Sequence, residues 1–255
     1  MISSTVANDP NDAVSIRNAD KKKDAKIISE IYVKAFYEQM QFRWVFQTDG
    51  EAHRGALRFF FDGRLYLLRI YNETYLIVAQ KGEEVIGACG IEPNSCEFTL
   101  YDWICAGVLM IPIFYGYASL TRLLKLGDDL AKDDVPDPRG GKLVMMAVDP
   151  KFQGQGIGSK IVKEILRKWD SNSGGDLRLT TQVESNVKFY KNYGFEITEE
   201  KVCDGFTSWS MRRKKPDAAS AAAAASTTTA AATTATAAPT TVAAVTSIVS
   251  GSQDK

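Results

Sequence analysis

Leu143-Val144-Met145-Met146-Ala147-Val148-Asp149-Pro150 runs, two residues later, into Gln153-Gly154-Gln155-Gly156-Ile157-Gly158-Ser159, and this stretch decides the fold. A strand with one wet face alternates apolar and polar side chains; six apolar residues in a row predict a strand buried on both faces, ended by Asp149-Pro150. From Gly156 a helix is expected, because Ile157, Ile161, Val162, Ile165, Leu166 and Trp169 recur on one side until Ser173-Gly174-Gly175 stops it.

Working outward, residues 177–183 read as a further strand, 186–193 as a short helix, and 195–202 and 207–212 as two final strands. Upstream, Val14, Ile16 and Ala19 alternate as in a half-buried strand, and Asp20 offers an N-cap to a helix reaching about residue 40. Its apolar face is Ile27, Ile28, Ile31, Val33, Ala35 and Phe36. A second helical stretch over 51–71 carries Leu57, Phe60, Phe61, Leu65 and Leu68, with an interruption at Gly63. Strands over 74–80 and 84–92 are joined by the turn Lys81-Gly82-Glu83. The chain is expected to be α/β, with the strand-loop-helix unit at its centre.

Residues 103–120 are uncharged but for Asp102 just before them, and long enough to invite reading as a membrane span. Gly107, Pro112 and Gly116 interrupt them, and Leu120, Leu123, Leu124 and Leu126 carry the helical period on past Arg122 and Lys125. No membrane span is expected; a buried or cleft-lining helical pair is, followed by an exposed loop over 133–142.

The 255 residues hold 31 Lys+Arg against 31 Asp+Glu, so the clustered positive excess that phosphate backbones require is missing and no nucleic-acid partner is expected. Cys89, Cys96, Cys105 and Cys203 form no Cys-x-x-Cys pair and His53 is the single histidine, which argues against a metal cluster or a disulfide framework. His53 lies in a polar stretch without a nucleophile motif and is expected at the surface. The first residues lack the basic and apolar regions of a secretory signal, and a reducing, cytoplasmic setting is expected.

Glycine-rich loops entering a helix bind phosphates because successive N–H groups point at the anion, the backbone can approach closely, and the helix start is partly positive. Gln153-Gly154-Gln155-Gly156-Ile157-Gly158 fits neither the Walker spacing nor that of dinucleotide binders. Together with Asn186-Val187-Lys188-Phe189-Tyr190-Lys191-Asn192-Tyr193-Gly194-Phe195 some thirty residues later, it resembles the GCN5-related N-acetyltransferases, the GNAT superfamily. Trp209-Ser210-Met211, after Phe189-Tyr190 and Gly194-Phe195, looks most like the puromycin-acetyltransferase-like branch.

The resemblance implies a single GNAT-type domain over 13–215: a mixed, mostly antiparallel twisted sheet of six to seven strands, flanked by helices, with a helical insertion at about 98–131 between the third and fourth strands. It implies acetyl-CoA as acyl donor and no metal. The backbone of Met146, Ala147 and Val148 would receive the thioester and pantetheine, Gln153, Gly154, Gln155, Gly156, Gly158 and Ser159 would hold the pyrophosphate, and Asn186 would bond the cofactor arm. Tyr190 falls where the family places the acid that protonates the leaving thiolate, with Tyr193 as the competing, packing tyrosine. A phenol of ordinary pKa about 10 can donate to a thiolate of reference pKa about 8.5.

The acceptor must attack as a neutral amine. At a lysine-like pKa only about one part in 2,500 is neutral at pH 7, a cost of about 4.6 kcal/mol, and it falls sharply for an aromatic or α-amine. Many puromycin-like relatives carry a glutamate before the Asn helix, where this chain has Leu179-Thr180-Thr181-Gln182; Glu92, Glu97 and Glu184 are the available carboxylates. The expected activity is N-acetyl transfer to a primary amine of a small molecule, because the apolar insertion would roof the acceptor site; the alternative is an acyl-CoA-binding sensor or scaffold without turnover.

Residues 1–12 are expected to be a flexible N-terminus, and the Ala/Thr-rich residues 216–255, which lack an apolar stripe, a disordered tether. Truncation after Lys215 should therefore leave the melting temperature and CoA affinity unchanged, and a loss of several degrees would show that the tail packs.

Overall fold

The computed structural model describes residues 14–71, 75–131, 137–172, 174–203 and 205–215; the expected flexible N-terminus and C-terminal tether lie outside them. The elements follow in the order β1 (Val14–Asn18), α1 (Ala25–Phe36), α2 (Met40–Phe46), α3 (Gly50–Ile70), β2 (Tyr75–Lys81) and β3 (Glu84–Pro93). The insertion holds α4 (Leu100–Cys105), α5 (Ile111–Tyr115) and α6 (Tyr117–Ala131). Then come β4 (Gly141–Val148), α7 (Ile157–Ser171), β5 (Leu177–Thr181), α8 (Glu184–Lys191), β6 (Glu196–Cys203) and β7 (Phe206–Arg213).

The seven strands form one sheet in the order β1-β2-β3-β4-β5-β7-β6, antiparallel everywhere except between β4 and β5. All eight residues of β4 are buried, as its apolar run requires of a strand covered on both faces. One core lies between the sheet and α1 to α3, with Ile28, Phe36, Leu57, Phe61 and Leu68 against Val144 and Ala147. The other lies under α7 and α8, where Ile161, Ile165 and Trp169 meet Leu143, Val148 and Leu177. At the closing edge of the sheet, the Asp176 carboxylate accepts from Arg212 Nε and from the Lys215 N–H, both at 2.8 Å, fastening the end of the described chain beside the start of β5.

Several expectations need correction. The helix expected from Asp20 to about residue 40 is shorter, Ala25–Phe36, with α2 starting separately at Met40; Asp20 caps a turn instead, its carboxylate accepting from the N–H groups of Lys22 and Lys23 at 3.0 Å, and α1 begins after Asp24. Gly63 does not interrupt α3, which is continuous from Gly50 to Ile70. Its lack of a side chain serves a contact: a Cβ there would stand 2.5 Å from the Ala106 carbonyl oxygen. His53 is fully buried rather than at the surface. Its Nε2 lies 3.1 Å from the Tyr37 carbonyl, which can only accept, so Nε2 carries the proton and Nδ1 accepts from the Thr48 hydroxyl at 3.4 Å. Burial pushes its pKa down, against the upward pull of the Tyr37 bond.

The insertion, expected as a buried or cleft-lining helical pair, is three helices that line a pocket against α3 and are only partly buried. Trp103, Ile111, Leu123 and Leu126 are buried, but Leu100, Tyr101, Leu109, Ile113, Phe114 and Tyr117 are 55–73% exposed. Short helices laid on the outside of α3 have only one inward face, so half of an all-round apolar sequence stays outside. Among the described residues no helix is long and apolar enough to cross a membrane.

Gly63→Ala tests how tightly the insertion sits. Helix propensity alone favours alanine by about 1 kcal/mol, whereas overlap with Ala106 should cost about 1–3 kcal/mol. A lower melting temperature in thermal denaturation is expected; a rise would show that the insertion gives way.

Candidate active site

The central feature of the site follows from a break in the period-2 alternation of β4. Leu143, Met146 and Val148 belong to the α7 core, while Val144, Met145 and Ala147 belong to the α1–α3 core, so Val144 and Met145 fall on the same side. A strand can reset its phase in this way only through an extra residue. The register shows it: Gly90 pairs with Val144 and Ala88 with Ala147, leaving Cys89 opposite both Met145 and Met146. Met145 takes φ +50°, a conformation that costs a side-chain-bearing residue roughly 1–3 kcal/mol and clusters at functional sites.

On its other side β4 is paired with β5 only at Gly141–Leu177 and Lys142–Arg178. Beyond these residues β5 continues with β7 alone, through Thr181–Trp209. The bulge and the end of the parallel pairing together make a wedge that opens toward the C-terminal ends of the two strands.

The glycine loop stands at that open end. Asp149 N–H donates to the Ile86 carbonyl at 2.8 Å, and Asp149 Oδ1 caps the turn after it by accepting from the Lys151 N–H at 3.0 Å. Lys34 Nζ of α1 bonds Asp149 Oδ2 at 2.8 Å. Burial pushes the Asp149 pKa up, but the bonds from Lys34 and the Lys151 amide outweigh it and hold the carboxyl below its ordinary value. Gln153 spends its side chain within the chain, donating from Nε2 to the Val148 carbonyl at 3.0 Å. Gly154 and Gly156 have φ of +79° and +75°, and a Cβ on either would meet nothing within 4 Å. Gly156 is the N-cap of α7 and supplies no side chain to the orphan N–H groups of the first turn, where Ile157 and Gly158 are buried and Ser159 is half-buried.

From the far wall, Asn186 donates from Nδ2 to Thr181 Oγ1 at 3.3 Å, tying the first turn of α8 to the end of β5. One turn on, Tyr190 is fully buried, with its hydroxyl 3.5 Å from Met146 Sδ. Its ring packs edge-on against Phe189 and Phe195. Burial above all, with the neighbouring Cys89 and Tyr193 adding to it, raises its pKa well above the ordinary phenol value. Tyr193 is half-buried and packs against Phe189 at 5.1 Å between ring centroids.

Glu92 is buried in an ion pair with Arg64 of α3, 2.7 Å from Nη2. Glu184 is exposed and pairs with Lys188 at 3.3 Å, and Glu97 is exposed. Among the described residues no group of three or more His, Cys, Asp and Glu could hold a metal ion. The sequence gives no signal for Met145, Cys89 or Lys34: a bulge has no residue signature here, and Lys34 is 115 positions from the carboxylate it bonds.

A family model described as an acetyltransferase (GNAT) domain matches residues 115–197, the segment that contains β4, the glycine loop, α7, β5 and α8. Residues 115–197 are thus similar to the GNAT acetyltransferases. The fold of the chain matches the crystal structure of histone acetyltransferase HPA2 and related acetyltransferase from Corynebacterium glutamicum, with a TM-score of 0.57 at 17% identity over 80% of this chain and 97% of that one. PaiA N-acetyltransferase from Thermoplasma acidophilum, in complex with coenzyme A, is 12% identical over 79% of this chain and 99% of its own, with a TM-score of 0.48. For yncA from Salmonella typhimurium, with its cofactor acetyl-CoA, the values are 15%, 81%, 99% and 0.46. No curated protein sequence matches this chain.

Asp149 offers a titration test of the loop anchor. A carboxyl held below its ordinary pKa of about 3.9 contributes stability above that value and loses it as pH falls through the folded value. Lys34→Met removes one of the bonds that lower it and leaves burial pushing up, so the Asp149 pKa should rise in a carboxyl-carbon NMR titration, and acid unfolding should begin at higher pH. An unchanged pKa would show that Lys34 does not hold Asp149.

Proposed function

We propose that this chain is an acetyl-CoA-dependent N-acetyltransferase that acts on a primary amine of a small molecule. The observation that carries the reading is the wedge between β4 and β5 opening onto a helix start with two outward glycines of positive φ. The fit to an acyl-CoA is physical: open space where a Cβ would stand at Gly154 and Gly156, and a helix start without a side-chain cap, suit an anion that must come close to backbone.

When bound, acetyl-CoA supplies the acyl group as an activated thioester. Gln153, Gly154, Gln155, Gly156, Gly158 and Ser159 would face its pyrophosphate, with backbone N–H groups as the donors. The edge of Met146, Ala147 and Val148 that no strand pairs would take the pantetheine, and one of its N–H groups would polarise the thioester oxygen. Asn186 would lie along the cofactor arm, where its bond to Thr181 also sets the angle of α8. Tyr190, kept protonated by burial, would donate to the leaving thiolate. Its raised pKa makes it a donor throughout the working range, so it should contribute no limb to the pH–rate profile below about pH 10.

Glu92 is occupied by Arg64, and Glu97 and Glu184 are exposed. This arrangement favours an acceptor that needs little help to lose its proton. An α-amine of pKa about 8 is roughly one-tenth neutral at pH 7, against one part in 2,500 for a lysine-like amine. The small, partly apolar acceptor accords with the puromycin-like ending Trp209-Ser210-Met211.

Release of free CoA thiol across a panel of amines tests the reading. Low-pKa amines should be turned over first; tight CoA binding with no thiol release from any amine would establish the sensor instead. Tyr190→Phe should leave acetyl-CoA affinity nearly unchanged and lower kcat about 10²- to 10⁴-fold, with Tyr193→Phe as control. Full turnover in Tyr190→Phe would sink the assignment. Gly154→Val, exposed and away from packing, should weaken CoA binding at least about tenfold in calorimetry while the protein stays folded.

A further inference from the structure

The outer surface of the insertion differs from the rest of the molecule. Among the described residues thirteen large apolar side chains are exposed; eight of them fall within residues 100–117, and the other five are spread over α1, α2, α3 and β6. α4 turns Trp103 inward and Leu100 and Tyr101 outward, and α5 turns Ile111 inward and Ile113 and Phe114 outward. The single turn Val108–Met110 between them adds Leu109, and Tyr117 opens α6. These pieces touch in succession, α4 on the turn, the turn on α5 and α5 on α6, so their outward side chains make one apolar surface.

A large apolar side chain has roughly 150–250 Å² to bury, so the six that are 55–73% exposed present on the order of 800 Å². The largest patch on a typical monomer is about 300–600 Å², whereas each side of a standard protein interface is about 800 Å². The patch is also ready-made. Trp103 and Ile111 are buried beneath it and the Thr99–Asp102 capping box fixes the start of α4, so little ordering is left to oppose association.

Its lack of charge selects the occupant. Over residues 98–121 the one charged side chain is Asp102, whose carboxylate accepts from the Thr99 N–H and hydroxyl, both at 2.8 Å. Arg122, next in the chain, turns toward α2, where its Nε donates to the Val45 carbonyl at 2.8 Å. A two-fold dimer sets a patch against its own copy, so charges of one sign on it would meet their like, and an uncharged patch meets no such repulsion. Lipid surfaces hold interfacial segments through Lys and Arg at the headgroups as well as through apolar side chains. Residues 98–121 have neither, in a chain whose 31 basic residues are matched by 31 acidic ones. We infer that the outer face of α4, α5 and the start of α6 docks a second copy of this chain, forming a closed two-fold dimer. The inference does not rest on acetyl transfer.

Sedimentation velocity of the full chain reads the assembly. The dimer should predominate at about 10 µM, since interfaces of this size have micromolar or tighter affinities, and nothing larger should form, because a two-fold contact closes on itself. Ile113→Glu, at a side chain 69% exposed, keeps the fold and places a charge in the apolar contact of both copies, so the dissociation constant should rise at least about a hundredfold. Val202→Glu on β6, 80% exposed, is the matched control and should change it less than about twofold. A second reading needs no substitution in the patch. Cys105, exposed and one turn from Tyr101 in α4, should react with a maleimide at least about tenfold more slowly where the dimer predominates than after dilution to monomer. If Ile113→Glu does not fold, the wild-type mass and the Cys105 rates decide. A monomer up to about 100 µM, a ladder of larger species, a dimer untouched by Ile113→Glu, or equal Cys105 rates at both concentrations would overturn the proposal. In the monomer case, partition onto phosphatidylcholine vesicles would identify a lipid partner instead, and dimerisation only after truncation at Lys215 would identify the tail of the chain as the cover.

Discussion

The structure depends on a strand that is buried on both faces and yet gives up one of its neighbours. β4 keeps β3 along its length but holds β5 for only two residue pairs. A strand in the middle of a sheet normally satisfies backbone groups on both sides, and leaving one side unmet in a protein interior is expensive. Such an opening persists only where something else supplies partners or where the surroundings hold it apart. Here the surroundings do so: the bulge at Met145 turns the strand, α7 and α1 clamp its two faces, and β7 holds β5 along the edge away from β4.

The clamps are unequal in kind. On the α7 side the contact is almost entirely apolar, with Ile161, Ile165 and Trp169 lying on Leu143 and Leu177. On the α1 side a polar bond reaches round the end of the strand, from Lys34 to Asp149. Hydrophobic packing fixes where the helix lies but does little to set the direction of a loop; a charge-assisted bond is directional. The loop that enters α7 is therefore oriented by α1, an element from the opposite face of the sheet.

Much of the architecture was legible because the chain states it locally. The unbroken apolar run of β4 and the 3.6-residue period of α7 give the central unit without tertiary information. The parts that were not legible depend on partners distant in sequence. His53 looked like a surface residue because its neighbours are polar, yet it lies on the inward side of α3, where the Tyr37 carbonyl and Thr48 meet both ring nitrogens. Gly63 looked like a break because glycine weakens helices, whereas the chain uses it for the approach of Ala106. The insertion reads as buried or cleft-lining because it is apolar all round; it does line a pocket against α3, but a thin layer of short helices cannot hide every side. For the site, the glycine loop and the Asn186–Tyr190 helix announced themselves, but the commitment of Glu92 to Arg64 could not be read from either residue alone.

Asp176 joins Arg212 and the Lys215 amide at the start of β5, where β4 and β5 are still paired. The chain thus leaves the described domain at the closed end of the wedge, a strand's length from its mouth. A fluorescent protein, surface tether or second catalytic unit joined after Lys215 would be held behind the sheet, out of the path of any ligand entering between the two strands. The same geometry makes Asp176 a latch: fusion partners pulling on the C-terminus would load the β5–β7 seam, where the Asp176 carboxylate holds Arg212 and the Lys215 amide.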